Sequence, residues 1–216
     1  MKIPLLFFLI LVNFGYVVTV AEALVAQGYK NLDTSKLKND YKLDSTKIVT
    51  YITKEDCRNY GVPEMEFTIT TPSQYKKTLN SKEKGILRFV KTLSDSQFEE
   101  LQIATHKFDA KFSAEQEILQ LEEFKNMPEI KNNPDLTITV FSNIKVGSRN
   151  LTVYLQKVQN SSGKYPTDLP LNTLGITVPS SDGWSALILA FNKFSIDESN
   201  LFSEDELSIL RSIKIN

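Results

Sequence analysis

The order of patterned segments predicts an α+β fold: an antiparallel β-sheet with helices packed on it. Three observations carry this. Short segments rich in β-branched and aromatic residues follow one another with turn-sized gaps. Two segments instead show apolar residues at helical spacing behind an N-cap residue, one beginning at Ser113 and one at Ser203. The resulting order of strands, helix, strands, helix is that of an α+β domain, and short turns between neighbouring strands favour antiparallel pairing.

The chain has 216 residues, and its first segment is an address rather than a fold element. Lys2 precedes the apolar run Leu5 to Val12, and Ala21-Glu22-Ala23 supplies a small-residue cleavage site. This is the layout of a secretory signal peptide, residues 1–23. Asn13 and Gly15 interrupt the apolar stretch, which is too short for the ~20 residues of a membrane-spanning helix. The mature chain, 24–216, is expected to be soluble and exported to the periplasm or the medium, with no stable membrane insertion after cleavage.

Residues 24–63 read as an N-terminal extension. Leu24 to Thr46 is polar and weakly patterned, Ile48 to Ile52 is a first strand, and Lys54 to Pro63 reads as a loop. The main domain is expected over 64–216. Glu66 to Thr71 alternates apolar and polar until Pro72 stops it. Gly85 to Lys91 is a short strand and Glu100 to Phe108 a longer one. In the latter Leu101, Ile103 and Thr105 share one face, and Gln102, Ala104 and His106 share the other. Ser94 to Glu99 reads as the turn between them.

Ser113 with Gln116 forms a capping-box pattern, and Ile118, Leu121 and Phe124 make the buried stripe of the first helix, which Pro128 ends. Leu136 to Ser142 and Leu151 to Val158 read as a hairpin around Lys145 to Ser148. The stretch 159–182 carries Gly163, Pro166, Pro170, Gly175 and Pro179 and reads as one long loop with a small strand at Ile176 to Val178. After the Asp182-Gly183 turn, Trp184 to Phe194 is apolar on both faces near its middle, as a central strand should be. Ser203 and Glu206 form a second capping box, with Phe202 and Leu207 as its hydrophobic staple. Leu207, Leu210 and Ile213 are expected to face inward.

Composition narrows the chemistry. Lys and Arg total 25 against 26 Asp and Glu, so no basic field favours nucleic acid. One cysteine excludes an internal disulfide framework, and one histidine excludes any site needing two imidazoles from one chain. No phosphate-binding glycine loop, dinucleotide fingerprint, nucleophile elbow or calcium loop occurs. Cys57 paired with His106, the adjacent pairs Glu99-Glu100 and Glu122-Glu123, and Asp182 with Asp197 and Glu198 are the groups that chemistry would recruit. Each reads more simply as a core, edge or solvated group. Asn150 and Asn160 head glycosylation sequons, which matter only in a eukaryotic source. Trp184, Tyr154 and Phe191 are candidates for lining a cleft, and read more simply as core.

Three places carry a family likeness. They are Phe67 to Pro72 with Tyr75 following, the hairpin from Ile138 to Leu155, and the apolar strand leading into Phe202 to Leu207 and closing on Ile209 to Ile215. Over Glu66 to Ile215 the chain resembles the PsbP-like fold family, which includes an extrinsic photosystem subunit, a Ran-binding nuclear import factor and small bacterial envelope proteins. The resemblance implies an α/β/α sandwich and a docking or assembly role. It transfers no catalytic residues.

The expected function is therefore that of an exported, non-catalytic monomer. It would bind a protein partner in the cell envelope through 159–182 and the N-terminal extension. No cofactor, metal or nucleic acid is expected. The alternative is a small-ligand-binding protein or hydrolase with a cleft between the sheet and the 159–182 loop.

Overall fold

The computed structural model describes residues 40–42, 46–79, 86–95, 97–159, 163 and 170–216. The signal-peptide segment and residues 24–39 lie outside them.

The fold is α+β, with two antiparallel sheets and a few helices. The large sheet has seven strands: β4 (Tyr75–Leu79), β5 (Ile86–Thr92), β6 (Phe98–Lys107), β7 (Leu136–Val146), β8 (Arg149–Val158), β9 (Asn172–Pro179) and β10 (Ser185–Lys193). Their spatial order is β4-β5-β6-β10-β9-β8-β7. Two meanders thus meet at β6 and β10, which pair from Ser185↔Lys107 to Asn192↔Glu100. The small sheet joins β2 (Lys47–Ile52), β3 (Phe67–Pro72) and the C-terminal β11 (Lys214–Ile215), with β1 (Asp40–Lys42) at its edge.

Strand alternation divides the large sheet into two faces. The inner face carries Leu87 and Phe89, Leu101 and Ile103, Val153 and Leu155, Leu174, Ile176 and Val178, and Leu187, Leu189 and Phe191. Ile52, Cys57, Phe67, Ile69, Ile209 and Leu210 pack into the same core from the small sheet and two helices. These helices are α1 (Lys54–Tyr60) and α4 (Glu204–Ser212). The outer face holds a separate apolar cluster. There Leu121 and Phe124 of α2 (Ala114–Lys125) meet Leu136, Ile138 and Tyr154, with Ile130 of α3 (Pro128–Lys131) beside them. Helices therefore lie on both sides of the large sheet.

The long strands follow their sequence patterns. Leu101, Ile103 and Thr105 share the inner face, and β10 occupies the centre of the sheet, buried along its length. The Ser203 capping box is present: Ser203 Oγ accepts from Glu206 N (3.3 Å) and Glu206 Oε2 accepts from Ser203 N (2.7 Å). Arg149 closes the other end of α4, donating to Leu210 O (3.1 Å) and Ile213 O (2.6 Å). A cation on the last carbonyls also complements the negative end of the helix dipole.

One reading is corrected, and others are extended. Lys54 to Pro63 is not a loop, because Thr53 and Asp56 form a capping box and Gly61 (φ 69°) takes the left-handed C-cap. Aspartate replaces the usual Glu or Gln, and Cys57 alone of the helix is buried, so no periodicity marks it. The small strand expected at Ile176 to Val178 is present but longer, taking in residues 172–179. They are β9, with six consecutive buried residues. Gly175 and Pro179 made this strand read as irregular. Tyr75–Leu79 is a strand although Lys76 and Lys77 break its apolar pattern, as edge strands allow. The helix ends at Lys125, before Pro128 as expected, and Pro128 also sits in the first turn of α3, where a proline lacks nothing. The turn after Leu93 is present, but β6 already begins at Phe98.

Candidate functional site

The groups singled out from sequence do not converge. Cys57 packs from α1 against the inner face, and its thiol donates to Met65 O (3.2 Å). Burial pushes that thiol's pKa up, away from a thiolate. His106 lies on the outer face, stacked edge-on against Phe108 at 4.7 Å. Burial lowers its pKa. A seven-stranded sheet separates the two, so they form no nucleophile–base pair.

Alternation sends Glu99 and Glu100 to opposite faces. Glu122 makes an exposed pair with Lys125 (3.4 Å). Asp182 precedes β10 and Asp197 follows it, so the strand's length separates them. Each is closed on its own turn: Asp182 accepts from Ser180 Oγ (2.6 Å) and Trp184 N (3.0 Å), and Asp197 from Ser199 N (2.9 Å) and Oγ (2.8 Å). These bonds lower both pKa values. Glu198 pairs with Lys157 (2.9 Å). Among the described residues no group of three or more His, Cys, Asp or Glu side chains is placed to hold a metal.

The three aromatic candidates also separate. Phe191 is inner-face core against Phe202. Tyr154 is buried on the outer face. Trp184, at the β9–β10 turn, is 44% exposed. Phe108 N donates to Trp184 O (2.9 Å) and Phe112 N to Gly183 O (2.8 Å). Phe108 and Phe112 face each other at 5.5 Å. The turn thus ties the backbone at Gly183 and Trp184 to that of the two half-buried phenylalanines. The 159–182 stretch is divided: 172–179 is strand, and residues 160–162 and 164–169 lie outside the described residues. Asn150 is exposed at the start of β8, while Asn160 lies outside them.

Three constellations escaped the sequence reading. The first is a polar band across the outer face. Register aligns Thr173 with Asn192, Asn192 with Glu100, and Arg88 with Gln102. Thr173 Oγ1 donates to Asn192 Oδ1 (2.7 Å). Glu100 Oε1 accepts from Asn192 Nδ2 (2.8 Å) and Gln102 Nε2 (2.7 Å), while Oε2 accepts from the Arg88 guanidinium. With both oxygens occupied, Glu100 is the common acceptor that ties three strands together.

The second lies where α4 meets the inner face. Lys193 Nζ donates to Glu206 Oε2 (3.0 Å) and Leu201 O (3.1 Å), tying the cap of α4 to the central strand. Lys91 lies near Glu99 (4.0 Å) and Asp205 (3.8 Å), with the Tyr75 ring beneath it. Burial, then the carboxylates Glu206, Glu99 and Asp205, raise the Tyr75 pKa, so its phenol stays neutral.

The third is Glu117, in the first turns of α2. Its carboxyl reaches the Thr177 and Thr152 hydroxyls of two adjacent strands, yet Oε2 is buried with no hydrogen-bond partner. Burial raises its pKa to about 7, against the opposing effect of the two hydroxyls.

No helix among the described residues is long and apolar enough to cross a membrane. No protein-family model and no curated protein matches this chain.

Proposed function

We propose that this chain is an exported, non-catalytic docking or assembly protein of the cell envelope, a distant member of the PsbP-like fold family. The layered arrangement supports the family reading: α2 and α3 lie on one side of an antiparallel sheet, and α4 with the small sheet on the other. The observation that carries the docking role is Trp184. A tryptophan 44% exposed on the turn between β9 and β10, whose backbone is hydrogen-bonded to that of Phe108, is an apolar anchor of the kind that protein interfaces use. The carboxylates and the histidine that chemistry would recruit are meanwhile bonded within their own turns or separated by the sheet. On this reading the docking edge is the β9–β10 turn, at the opposite end of β9 from Leu171.

The test is affinity capture with the signal-processed chain from envelope and culture-fluid extracts, alongside Trp184→Ser and a Leu119→Ser control. One partner retained by the control and lost by Trp184→Ser supports docking at this edge. Equal capture by all three chains removes Trp184 from the interface.

Small-ligand binding or hydrolysis is the second reading, and Glu117 favours it. A buried carboxyl of raised pKa beside two hydroxyls is a site where a proton can be exchanged near neutrality. A ligand screen on the same preparation separates the two. A bound small molecule whose affinity falls in Glu117→Gln, with no protein captured, would favour the second reading.

A further inference from the structure

We propose that Glu117 makes the seating of the N-terminal half of α2 on the sheet depend on protonation: the neutral carboxyl holds those turns on β8 and β9, and its ionisation lifts them. This goes beyond the docking reading and does not rest on it.

The geometry separates α2 into two halves. Leu121 and Phe124 anchor its C-terminal half in the outer apolar cluster with Leu136, Ile138 and Tyr154. Its N-terminal half has weaker ties. Ile118 is half-buried and Leu119 is exposed. The Ser113 cap bond to Gln116 N is long, at 3.4 Å. What this half places against the strands is the Glu117 carboxyl, with Thr152 and Thr177 below it and one oxygen buried without a partner.

A neutral carboxyl has only one strong donor and fewer acceptor demands, and it tolerates such a site. An ionised one there has an oxygen, Oε2, that is buried and accepts no hydrogen bond, which is costly. The surroundings do not relieve it. Among the described residues, burial and the two threonine hydroxyls are the influences that set its pKa. On β8 its titratable outer-face neighbour is Tyr154, whose pKa is pushed further up by burial, so it stays neutral. From β7 the cluster contributes Leu136, Ile138 and Val140, and from α3 Ile130. On α2 itself Glu115, Glu122 and Glu123 add negative charge, and Lys125 lies at the far end. His106, on the same face of the sheet, has its pKa lowered by burial and raised by Asp109, with no influence from Glu117. Relief therefore comes from movement: the first turns tilt outward about the Leu121–Phe124 anchor until water reaches the carboxylate.

The chain contains its own reporter. Phe112, one residue before the Ser113 cap, donates to Gly183 O, next to Trp184, the only tryptophan in the sequence. Tilting the start of α2 pulls on that bond and alters the surroundings of the indole.

The experiment follows Trp184 emission and hydrogen-exchange protection of the residue 117–121 amides from about pH 5 to about pH 8.5, corrected for intrinsic exchange, in the full mature chain. In the wild type, protection should fall about tenfold or more between the two ends, together with a change in emission. Glu117→Gln, which keeps the shape and cannot ionise, should remain protected and flat. His106→Gln should behave as the wild type, because the transition belongs to Glu117. Flat protection in the wild type, or an unchanged transition in Glu117→Gln, would overturn the proposal, and so would loss of the transition in His106→Gln alone.

Discussion

The ring of Tyr154 lies directly over Gly175: a Cβ at residue 175 would stand 1.5 Å from Tyr154 Cε1 and 2.0 Å from Cζ. The two residues are cross-strand partners in β8 and β9, and the ring is buried under α2. The glycine therefore serves close packing of an aromatic side chain rather than a turn, and its backbone is not among those with positive φ. Gly175→Ala should cost about 3 kcal/mol or more, since neither the ring nor the strand can yield. Denaturant unfolding measures this. In a Tyr154→Ala background the same glycine substitution should cost much less, and a strictly additive double mutant would contradict the packing account.

Glu100 binds donors from β5, β6 and β10 at once. Glu100→Gln preserves volume but removes the charge that the buried Arg88 faces, and should destabilise by about 3 kcal/mol. Replacing both with apolar residues, as in Arg88→Met with Glu100→Leu, should recover part of that loss. Recovery is expected because desolvation of the two charges offsets much of their attraction. Urea midpoints for the three variants check this.

At α4, Glu206 serves two partners, the Ser203 amide and the Lys193 ammonium. Ser203→Ala removes only one arm of the cap and should cost about 1 kcal/mol. Glu206→Ala removes the other arm of the cap and leaves the buried Lys193 ammonium with only the Leu201 carbonyl, and should cost about 3 kcal/mol or more. Arg149→Ala, which frees the Leu210 and Ile213 carbonyls at the other end, should lie between them. Thermal unfolding of the three variants ranks them, and equal losses would show that α4 is held by packing alone.

Glu117 also sets a pH dependence of global stability. Its carboxyl ionises at an ordinary value of 4.5 when unfolded and at about 7 when folded. Between those values the folded chain holds more protons than the unfolded one, so this group's effect on stability worsens as pH rises from about 4.5 to about 7, then levels off. The loss is of order 3 kcal/mol if the helix cannot move, and less if it tilts. Denaturant midpoints for wild type and Glu117→Gln, measured at about pH 5 and about pH 7.5, should converge at the lower pH and separate at the higher.

Most of the fold was legible because its signals are local. The alternation in β6, the two-faced apolar run of β10 and the Ser203 capping box each lie within a few residues, and each marks its element. The missed elements lack such marks. α1 has a single buried side chain, Cys57, and two of the five residues of β4 are lysines. The glycine in β9 read as a loop signal because its reason, Tyr154, lies on another strand. The same applies to the candidate site. Glu100 looked like half of an adjacent acidic pair, and only pairing across β5, β6 and β10 assembles its donors. Glu117 looked like one acid among several in a first turn, and only the packing of α2 buries it.

By itself the sequence determined the class of fold, an antiparallel sheet with helices, since hydrophobic periodicity and caps act over a few residues of chain. Tertiary structure decided which charged groups meet, which are saturated and which is left with an unpartnered oxygen. Those outcomes depend on register between strands far apart in the chain, where a shift of one residue would send every side chain to the opposite face.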